Sequence, residues 1–304
     1  VLNLKVVLPT GEVIETGSRV NKNSSIHHRY CNGPDLAGLF LGASGSLGII
    51  TEATIRIHPK EPYTLHSTFG FKRLDESCSA LHELSIHGYV DDFWLLCGKH
   101  SVDLGYPEPL EGIEAVLALY TAAPDQTTID ARKKKWYDTV QKCDAKALDP
   151  SFADKFASDY TGFETAAGQS LAWVVISVWP ILKIPEFHAL AENMLRKHEN
   201  IMIGEPGKKQ WSVTACGGAK YPMTDLTFGF MADRSRPEIR TKAFEALKEM
   251  QRTAVKHGAA LYDLGRLPAV SCIWENGKPT YELLKLLKKT LDPNNIMNPG
   301  SLML

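Results

Sequence analysis

The pattern of apolar and polar positions begins with short strand-like segments. Apolar-rich runs at residues 4–8 and 12–16 flank the turn sequence PTG, and this arrangement predicts a β-hairpin. Residues 35–40 have the pattern of a short helix. The polar segment between the hairpin and this helix is rich in Asn, Ser and His and is expected to be a loop.

A longer strand is expected over residues 49–57. Within it, Ala53, Ile55 and Ile57 alternate with polar residues, which is the pattern of a strand with one buried face. The sequence PKEP at residues 59–62 then interrupts the pattern. We therefore place a domain boundary at this point.

Beyond residue 62, strand-like and helix-like segments alternate. Apolar runs of strand length occupy residues 67–71, 93–97, 115–120 and 171–178. Helical spacing occurs at residues 75–87, 130–147, 184–199 and about 235–257. Ser235 and Glu238 have the spacing of a capping box at the start of the last of these helices. Residues 216–221 are interpreted as a loop. The pattern predicts an α+β fold in which helices cover an antiparallel sheet.

The last helix is expected over residues 280–290, followed by a turn-rich tail. The side chains expected to face the core are Leu283, Leu284 and Leu287. Lys288 and Lys289 lie in the last turn, where positive charge interacts favourably with the helix dipole. The sequence DPNNIMNPG at residues 292–300 predicts two closely spaced turns. We expect this tail to fold back onto the body of the protein.

Composition excludes several classes of protein. The 304 residues are 44% hydrophobic and 23% charged, with a formal net charge of −1, which argues against non-specific binding to nucleic acid. No apolar run approaches the roughly 20 residues of a membrane span. The six cysteines and ten histidines form none of the usual metal-binding or disulfide spacings, so no metal is expected. Reduced thiols in a cytoplasmic protein are the expected state. The chain starts at Val1 as if within a strand, and we expect a further segment upstream.

Three glycines at spacing three, Gly42, Gly45 and Gly48, precede the strand at residues 49–57. Glycine allows tight turns, and the successive amides of such a turn can bind an anion. A plain connection between two strands is the alternative. A Rossmann fingerprint is excluded, because it requires the glycines to lie between a strand and a helix.

Residues 39–53, LFLGASGSLGIITEA, resemble the L-F-x-G-S-E-G-T-L-G-[IV]-[IV]-T-E-A stretch of the FAD-linked oxidases. These form the vanillyl-alcohol oxidase and para-cresol methylhydroxylase superfamily, and the likeness is strongest to its glycolate oxidase and D-lactate dehydrogenase branch. The resemblance implies FAD as the cofactor. The residues that it implies in cofactor contact are Gly45, Ser46, Gly48, Ile49 and Ile50. Ser44 departs from the family pattern, which has Glu.

The tail at residues 291–300 resembles the L-D-P-N-x-I-x-N-P-G ending of the same family, which returns to the flavin domain. This adds Asn298 to the implied cofactor site. The resemblance implies that residues 1–62 are the second half of an FAD-binding domain, 63–278 a cap that binds substrate, and 279–304 a returning tail. Family members also have an N-terminal FAD subdomain with a pyrophosphate-binding loop, and we expect no counterpart of it within residues 1–304. A partner chain that carries this subdomain, or a fragmentary sequence, would account for the difference.

Two motifs that are common in the glycolate and lactate branch do not occur in this sequence. They are the metal motif H-x-x-G-D-G-N-x-H of the cap and the motif H-G-x-G-x-x-K before the tail. The segment HGAALYDLGR at residues 257–266 resembles, loosely, the part of phenol-oxidising relatives in which a Tyr and an Arg hold a substrate oxygen. Tyr262 is therefore our candidate for orienting or deprotonating substrate, and Arg266 for binding a carboxylate or phenolate. The alternatives are a core tyrosine and a surface ion pair.

The resemblance implies oxidation of a small 2-hydroxy acid, such as D-lactate or glycolate, by hydride transfer to the flavin. Two alternatives remain open. One is oxidation of a para-substituted phenol or aryl alcohol, and the other is a non-catalytic assembly subunit of a split flavoenzyme. The electron acceptor is not indicated by the sequence.

Overall fold

A computed structural model describes residues 1–30, 33–105, 110–158, 172–206, 208–218, 222–262 and 270–304. The described strands are β1 Asn3–Val7, β2 Val13–Glu15, β3 Ile49–Thr54, β4 Tyr63–Phe71, β5 Asp92–Cys97, β6 Ala115–Ala123, β7 Lys146–Leu148, β8 Ala172–Pro180, β9 Trp211–Gly218, β10 Met223–Met231 and β11 Ala260–Leu261. The described helices are α1 Leu36–Phe40, α2 Leu74–Ile86, α3 Gly98–Gly105, α4 Gln126–Gln141, α5 Ser151–Ser158, α6 Ile184–Lys197, α7 Pro237–Lys256, α8 Val270–Asn276 and α9 Lys278–Leu291. The α+β class is confirmed.

The chain divides into two compact units. The first unit comprises Val1–Pro59 and Asp263–Leu304, and the second comprises Lys60–Tyr262. Among the described residues, no helix is long and apolar enough to cross a membrane.

The first unit contains a three-stranded antiparallel sheet in the order β2-β1-β3. Val6 of β1 lies opposite Ile14 of β2, which confirms the predicted hairpin. The short helix α1 is also confirmed, and the Asp35 carboxylate caps it by accepting a 3.0 Å hydrogen bond from the Gly38 amide. The core between them consists of Leu4, Val6, Ala37, Phe40, Ala43 and Leu47.

The prediction that the third strand has a buried face is wrong. Strand β3 ends at Thr54, and nearly all of its residues are exposed. Ile55 and Ile57, expected to point inward, are 61% and 82% exposed. Within the described residues, β3 pairs with β1 at the edge of the sheet, and no described layer covers its apolar side chains, so the alternation in its sequence does not lead to burial.

The second unit is built on an eight-stranded antiparallel sheet in the order β11-β8-β10-β9-β5-β6-β4-β7. Helices α2, α4, α6 and α7 pack against it. On this side Phe187 of α6 stacks on Trp179 of β8, with ring centroids 4.2 Å apart, and meets Phe228 of β10 edge-on. The predicted sheet with covering helices is therefore confirmed.

Some predicted elements need correction. The helix expected over residues 130–147 spans Gln126–Gln141, and β7 follows a turn in which Asp144 has φ +50°. The capping box is wrong, because the Ser235 hydroxyl donates to the Asp233 carboxylate at 2.6 Å and does not cap α7. The segment interpreted as a loop at residues 216–221 begins inside β9.

The last helix is present as α9, but its buried face differs from the prediction. Leu283, expected to face the core, is 55% exposed. Lys288, expected to interact with the helix dipole in the last turn, is only 6% exposed. An apolar pattern alone cannot identify a buried lysine, because burial of an ammonium group depends on acceptors that lie elsewhere in the chain.

Candidate functional site

The glycine-rich loop connects α1 to β3 in the first unit. Its backbone turns through residues of positive φ, with values of +79° at Gly42, +49° at Ser44 and +72° at Gly45. Within the loop, the Ser46 amide donates to the Ala43 carbonyl at 2.9 Å, and the Ser46 hydroxyl donates to the same oxygen at 2.7 Å. The loop is therefore a defined turn in which some backbone groups form hydrogen bonds with other groups of the loop.

The three glycines of this segment have different roles. A Cβ on Gly48 would lie 2.7 Å from Cγ1 of Val6 and 3.0 Å from the Val7 carbonyl oxygen, so this glycine is required for packing against β1. Gly42 has open space at its Cβ position, and at Gly45 the nearest atoms belong to Asn298, 3.9 Å away. The loop is thus closed on the side of Gly48 and open at Gly42 and Gly45.

The predicted cofactor residues of the loop and of β3 also differ in exposure. Gly45 is exposed, and Ile49 and Ile50 are 55% and 42% exposed. Ser46 and Gly48 are buried. The outward features of this region are therefore backbone at Gly45 and two apolar side chains at the start of β3.

A buried lysine joins the tail to this loop. Nζ of Lys288 in α9 donates to the Ser46 carbonyl oxygen at 2.9 Å, to Oδ2 of Asp292 at 2.5 Å and to the Met297 carbonyl oxygen at 2.6 Å. The side chains of Lys288 and Asp292 are 7% and 0% exposed. All three protons of the ammonium group have an acceptor, which is the condition for burying a charge of this kind.

The Asp292 carboxylate is equally well satisfied. It accepts hydrogen bonds from the Ile296 amide at 3.0 Å and the Met297 amide at 2.8 Å, in addition to the bond from Lys288. Burial of the carboxyl by itself would raise its pKa. The hydrogen bond from Lys288 and those from the two amides outweigh that effect and lower the pKa of Asp292 to about 2.

Asn298 forms a second connection from the tail to the loop. Its Nδ2 donates to the Ser44 carbonyl oxygen at 2.6 Å, and its own backbone has φ +40°. The structure therefore brings together six sequence-predicted residues in the first unit: Gly45, Ser46, Gly48, Ile49, Ile50 and Asn298. The sequence analysis missed Lys288 and Asp292 as partners in this arrangement. Their i,i+4 spacing across the helix end was the available signal.

The open side of the loop fits a flavin nucleotide. Exposed backbone with glycine in the left-handed region allows a ligand to approach the amides closely, and amides of this kind bind phosphate or carbonyl oxygens. Ile49 and Ile50 are consecutive in β3, so their exposed side chains point to opposite faces of the sheet and each offers apolar surface on its own face. Gly45, Ile49 and Ile50 are the residues that could hold such a group directly.

The two predicted catalytic residues, Tyr262 and Arg266, do not belong to the glycine loop. Tyr262 follows β11 in the second unit, where its amide donates to the Ile176 carbonyl oxygen at 3.0 Å. It is 64% exposed, so a buried core tyrosine is excluded. Arg266 lies outside the described residues. Tyr262 thus belongs to the second unit, whereas the glycine loop belongs to the first.

Tyr262 shares one face of the large sheet with several polar residues. Leu261 is buried, so alternation directs Tyr262 to the opposite face, in line with Ile176. Ile176 lies opposite Thr227 of β10, and Thr227 lies opposite Thr214 of β9, so these residues share the same face. Asp225, two residues from Thr227, lies on this face opposite Cys216.

The groups on this face are partly desolvated. Burial raises the pKa of the Asp225 carboxyl and raises that of the Cys216 thiol to about 12. Burial also raises the pKa of Asp92 in β5. The face therefore presents hydroxyl, thiol and carboxyl groups, and burial disfavours the charged forms of the thiol and the carboxyls. The sequence analysis missed it because β9 and β10 were not identified as strands.

Comparisons with known proteins agree with this architecture. Residues 158–302 match the family model "FAD linked oxidases, C-terminal domain". The chain is 24% identical to an FAD-linked oxidoreductase of Mycobacterium tuberculosis, 24% to the glycolate oxidase subunit GlcD of Bacillus subtilis and 22% to a D-lactate dehydrogenase of Anaerostipes hadrus. These alignments cover 98–99% of this chain but 64%, 63% and 63% of the relatives, so the chain spans less than two thirds of their length.

Two solved structures share the fold. The 4-ethylphenol oxidase of Gulosibacter chungangensis matches with a TM-score of 0.77 at 16% identity, over 99% of this chain and 65% of its own. A p-cresol methylhydroxylase matches with a TM-score of 0.75 at 18% identity, over 99% and 64%. FAD is the cofactor of the matched family. The chain is thus a relative of the FAD-linked oxidases, and its residues 158–302 correspond to the C-terminal domain of that family.

Proposed function

We propose that this chain is the part of an FAD-dependent oxidoreductase that holds one side of the flavin and supplies the substrate-binding unit. The complete enzyme oxidises a small 2-hydroxy acid of the size of D-lactate or glycolate. The observation that carries the proposal is the connection of the glycine loop to the tail through Lys288 and Asn298, which leaves the Gly45 backbone open to a ligand.

The 2-hydroxy acid is supported by the curated relatives, which include a glycolate oxidase subunit, D-lactate dehydrogenases and a D-2-hydroxyglutarate dehydrogenase. A hydroxy acid presents one carboxylate and one hydroxyl group. A guanidinium binds a carboxylate through two parallel hydrogen bonds, and this is the role we assign to Arg266. Tyr262, exposed at the end of β11, orients the hydroxyl group or takes up its proton.

In the first unit, Gly45, Ile49 and Ile50 contact the cofactor, while Ser46 and Gly48 shape the loop and Asn298 fixes it from the tail. When bound, FAD accepts the hydride released by substrate oxidation. The protein residues bind substrate, orient its hydroxyl group and move a proton. An oxidation of this kind requires the proton and the hydride to leave the same H–C–O–H group of the substrate.

The remaining flavin contacts come from a partner chain or from a further part of the protein. Two observations support this proposal. The relatives are about one and a half times as long as the matched region, and the first unit exposes several large apolar side chains. Those on and beside β3 are Ile49, Ile50, Ile55 and Ile57. Several exposed large apolar side chains in one segment favour association with another protein surface.

A phenol or aryl alcohol is the second candidate substrate. It is favoured by Tyr262, which is 64% exposed and lies on a sheet face that also carries the hydroxyl groups of Thr227 and Thr214. A phenolate offers one oxygen, so it would depend on Tyr262 more than on the fork of Arg266.

Anaerobic mixing of the flavin-loaded protein with candidate substrates tests the proposal. The protein is purified together with any co-encoded partner, and loss of the flavin absorption bands reports reduction. Reduction by D-lactate or glycolate and not by a para-alkylphenol supports the hydroxy acid, and the opposite result supports the phenol. Failure to bind flavin even with the partner would identify a non-catalytic assembly subunit and overturn the proposal.

A further inference from the structure

We infer that Lys288 and Asn298 are positioning residues that set the direction of the peptide planes in the glycine loop. By binding the carbonyl oxygens of Ser46 and Ser44, they hold the Gly45 amide outward as a donor for an oxygen acceptor, such as a phosphate or carbonyl oxygen of a flavin nucleotide. This inference rests on the proposed function for the identity of the ligand. The orientation of the peptide planes does not depend on the ligand, because it follows from hydrogen bonds within this chain.

The argument starts from the planarity of the peptide bond. In a trans peptide, the C=O and the N–H of the same plane point in opposite directions. The carbonyl of Ser44 belongs to the same plane as the amide of Gly45, and it points toward Nδ2 of Asn298. The Gly45 N–H therefore points away from the tail.

Lys288 fixes a second plane of the loop in the same manner. The Ser46 carbonyl points toward Nζ of Lys288, so the Leu47 N–H points away from it. Leu47 is only 2% exposed, whereas Gly45 is exposed. The donor available to a ligand is accordingly the Gly45 amide, and Lys288 holds the following plane in place. Within the described part of the chain, no hydrogen bond is made to the Gly45 amide.

The loop conformation is one that a chain adopts reluctantly. Ser44 lies in the left-handed region with φ +49°, which is unfavourable for residues with a side chain. Such a conformation persists when surrounding contacts determine it. The contacts available here are the internal bonds of Ser46 and the two bonds from the tail, so removing a bond from the tail should release the loop.

The position of the Lys288 ammonium is itself determined by the tail. It is bound by the Asp292 carboxylate and by the Met297 carbonyl oxygen, and Asp292 is held in turn by the amides of Ile296 and Met297. The side chain is buried, so water does not replace a lost acceptor. The turn in the tail thus fixes the position of the Lys288 ammonium group, and this group in turn fixes the Ser46 carbonyl of the loop.

Two pairs of variants separate positioning from general stability. Asn298→Gly removes the donor and tolerates φ +40°, and Asn295→Gly is its matched control, because Asn295 is another exposed tail residue with positive φ, +50°. Lys288→Met combined with Asp292→Asn removes the buried charges together. Its control is Lys289→Met, since Lys289 is the exposed neighbour in α9.

The first measurement is amide hydrogen exchange in the FAD-free protein. The Ser46 amide, bonded within the loop, is expected to exchange faster in Asn298→Gly and in the double variant, and at the wild-type rate in both controls. An unchanged rate in both test variants would overturn the inference. This result does not depend on whether the protein binds a flavin.

The second measurement is FAD affinity of the complete assembly, by quenching of flavin fluorescence. Asn298→Gly is expected to raise Kd about tenfold relative to Asn295→Gly, at an equal melting temperature. A core variant of the second unit, Leu84→Ala, should lower the melting temperature and leave Kd unchanged, which a purely structural role for Asn298 would not predict. Equal affinity of Asn298→Gly and wild type would overturn the inference. Lack of FAD binding by wild type would instead overturn the proposed function.

Discussion

The Lys288 ammonium donates a 2.9 Å hydrogen bond to the Ser46 carbonyl oxygen, across 242 positions of the chain. One end of this contact lies in the glycine loop and the other lies in the helix that precedes the tail. The two segments that resemble a flavin-oxidase family are therefore joined through a buried charge. This contact holds the two motifs against one another within the first unit.

The charge state of Asp292 should control acid stability of the first unit. Its pKa is lowered from 3.8 to about 2 in the folded protein, so the stabilisation is fully present above pH 3.8 and is lost as the pH falls through about 2. We expect Asp292→Asn to reduce stability at neutral pH and to weaken the dependence of stability on pH between about 4 and 2. Urea unfolding at several pH values measures this. Asp138→Asn, at an exposed position, serves as the control, and a parallel acid profile for Asp292→Asn and wild type would contradict the prediction.

Gly48 should be sensitive to the smallest enlargement. A Cβ at this position would meet the Val6 side chain at 2.7 Å and the Val7 carbonyl at 3.0 Å, so Gly48→Ala is expected to cost roughly 1–3 kcal/mol of unfolding free energy. Gly218→Ala is the matched control, because its Cβ would lie 3.7 Å from the nearest atom, the Asp91 carbonyl oxygen. Denaturant titration of both variants measures the two unfolding free energies. Equal stabilities would show that the loop shifts freely away from β1.

The exposed isoleucines should affect association rather than folding. Ile57→Ser is expected to change the unfolding free energy by less than about 0.5 kcal/mol, since Ile57 is 82% exposed. Leu4→Ala, at a position 1% exposed, is expected to cost roughly 2–5 kcal/mol. In a pull-down with the proposed partner chain or segment, Ile57→Ser should bind less well than wild type. Undiminished binding by a combined Ile55→Ser and Ile57→Ser variant would place the contact elsewhere.

Tyr262 and Arg266 should differ in their effect on the two candidate substrate classes. Arg266→Lys keeps the charge but loses the fork, so we expect kcat/KM for a hydroxy acid to fall about tenfold or more, and less for a phenol. Tyr262→Phe should reduce turnover without loss of stability, because the side chain is 64% exposed. Steady-state kinetics with D-lactate, glycolate and para-alkylphenols measure both. Unchanged kinetics in both variants would remove these residues from the substrate site.

Local sequence signals predicted much of the fold. The hairpin of β1 and β2 and the helix α2 were predicted because turn residues and apolar spacing lie within a few positions of one another. Strands β9 and β10 were not, because Gly217, Gly218 and Gly229 interrupt their alternation. The face that carries Tyr262 and Asp225 depends on the register of those strands, so it could not be predicted from the sequence.

The candidate site was predicted through its motifs but not through its physical connections. A pair of lysines at the end of a helix is typical of an exposed surface, and the burial of Lys288 follows only from acceptors in the loop and the tail. The exposure of β3 has a similar origin. Alternation in its sequence indicates an apolar face, but a local pattern does not show whether another layer covers that face.

FAD titration of the complete assembly tests the central claim most directly. The purified protein, with any co-encoded partner, is stripped of flavin and titrated with FAD while flavin fluorescence is followed. The account predicts saturable binding of one FAD per chain, weakened by Asn298→Gly but not by Asn295→Gly. Absence of binding by wild type, or equal binding by the two variants, would contradict it.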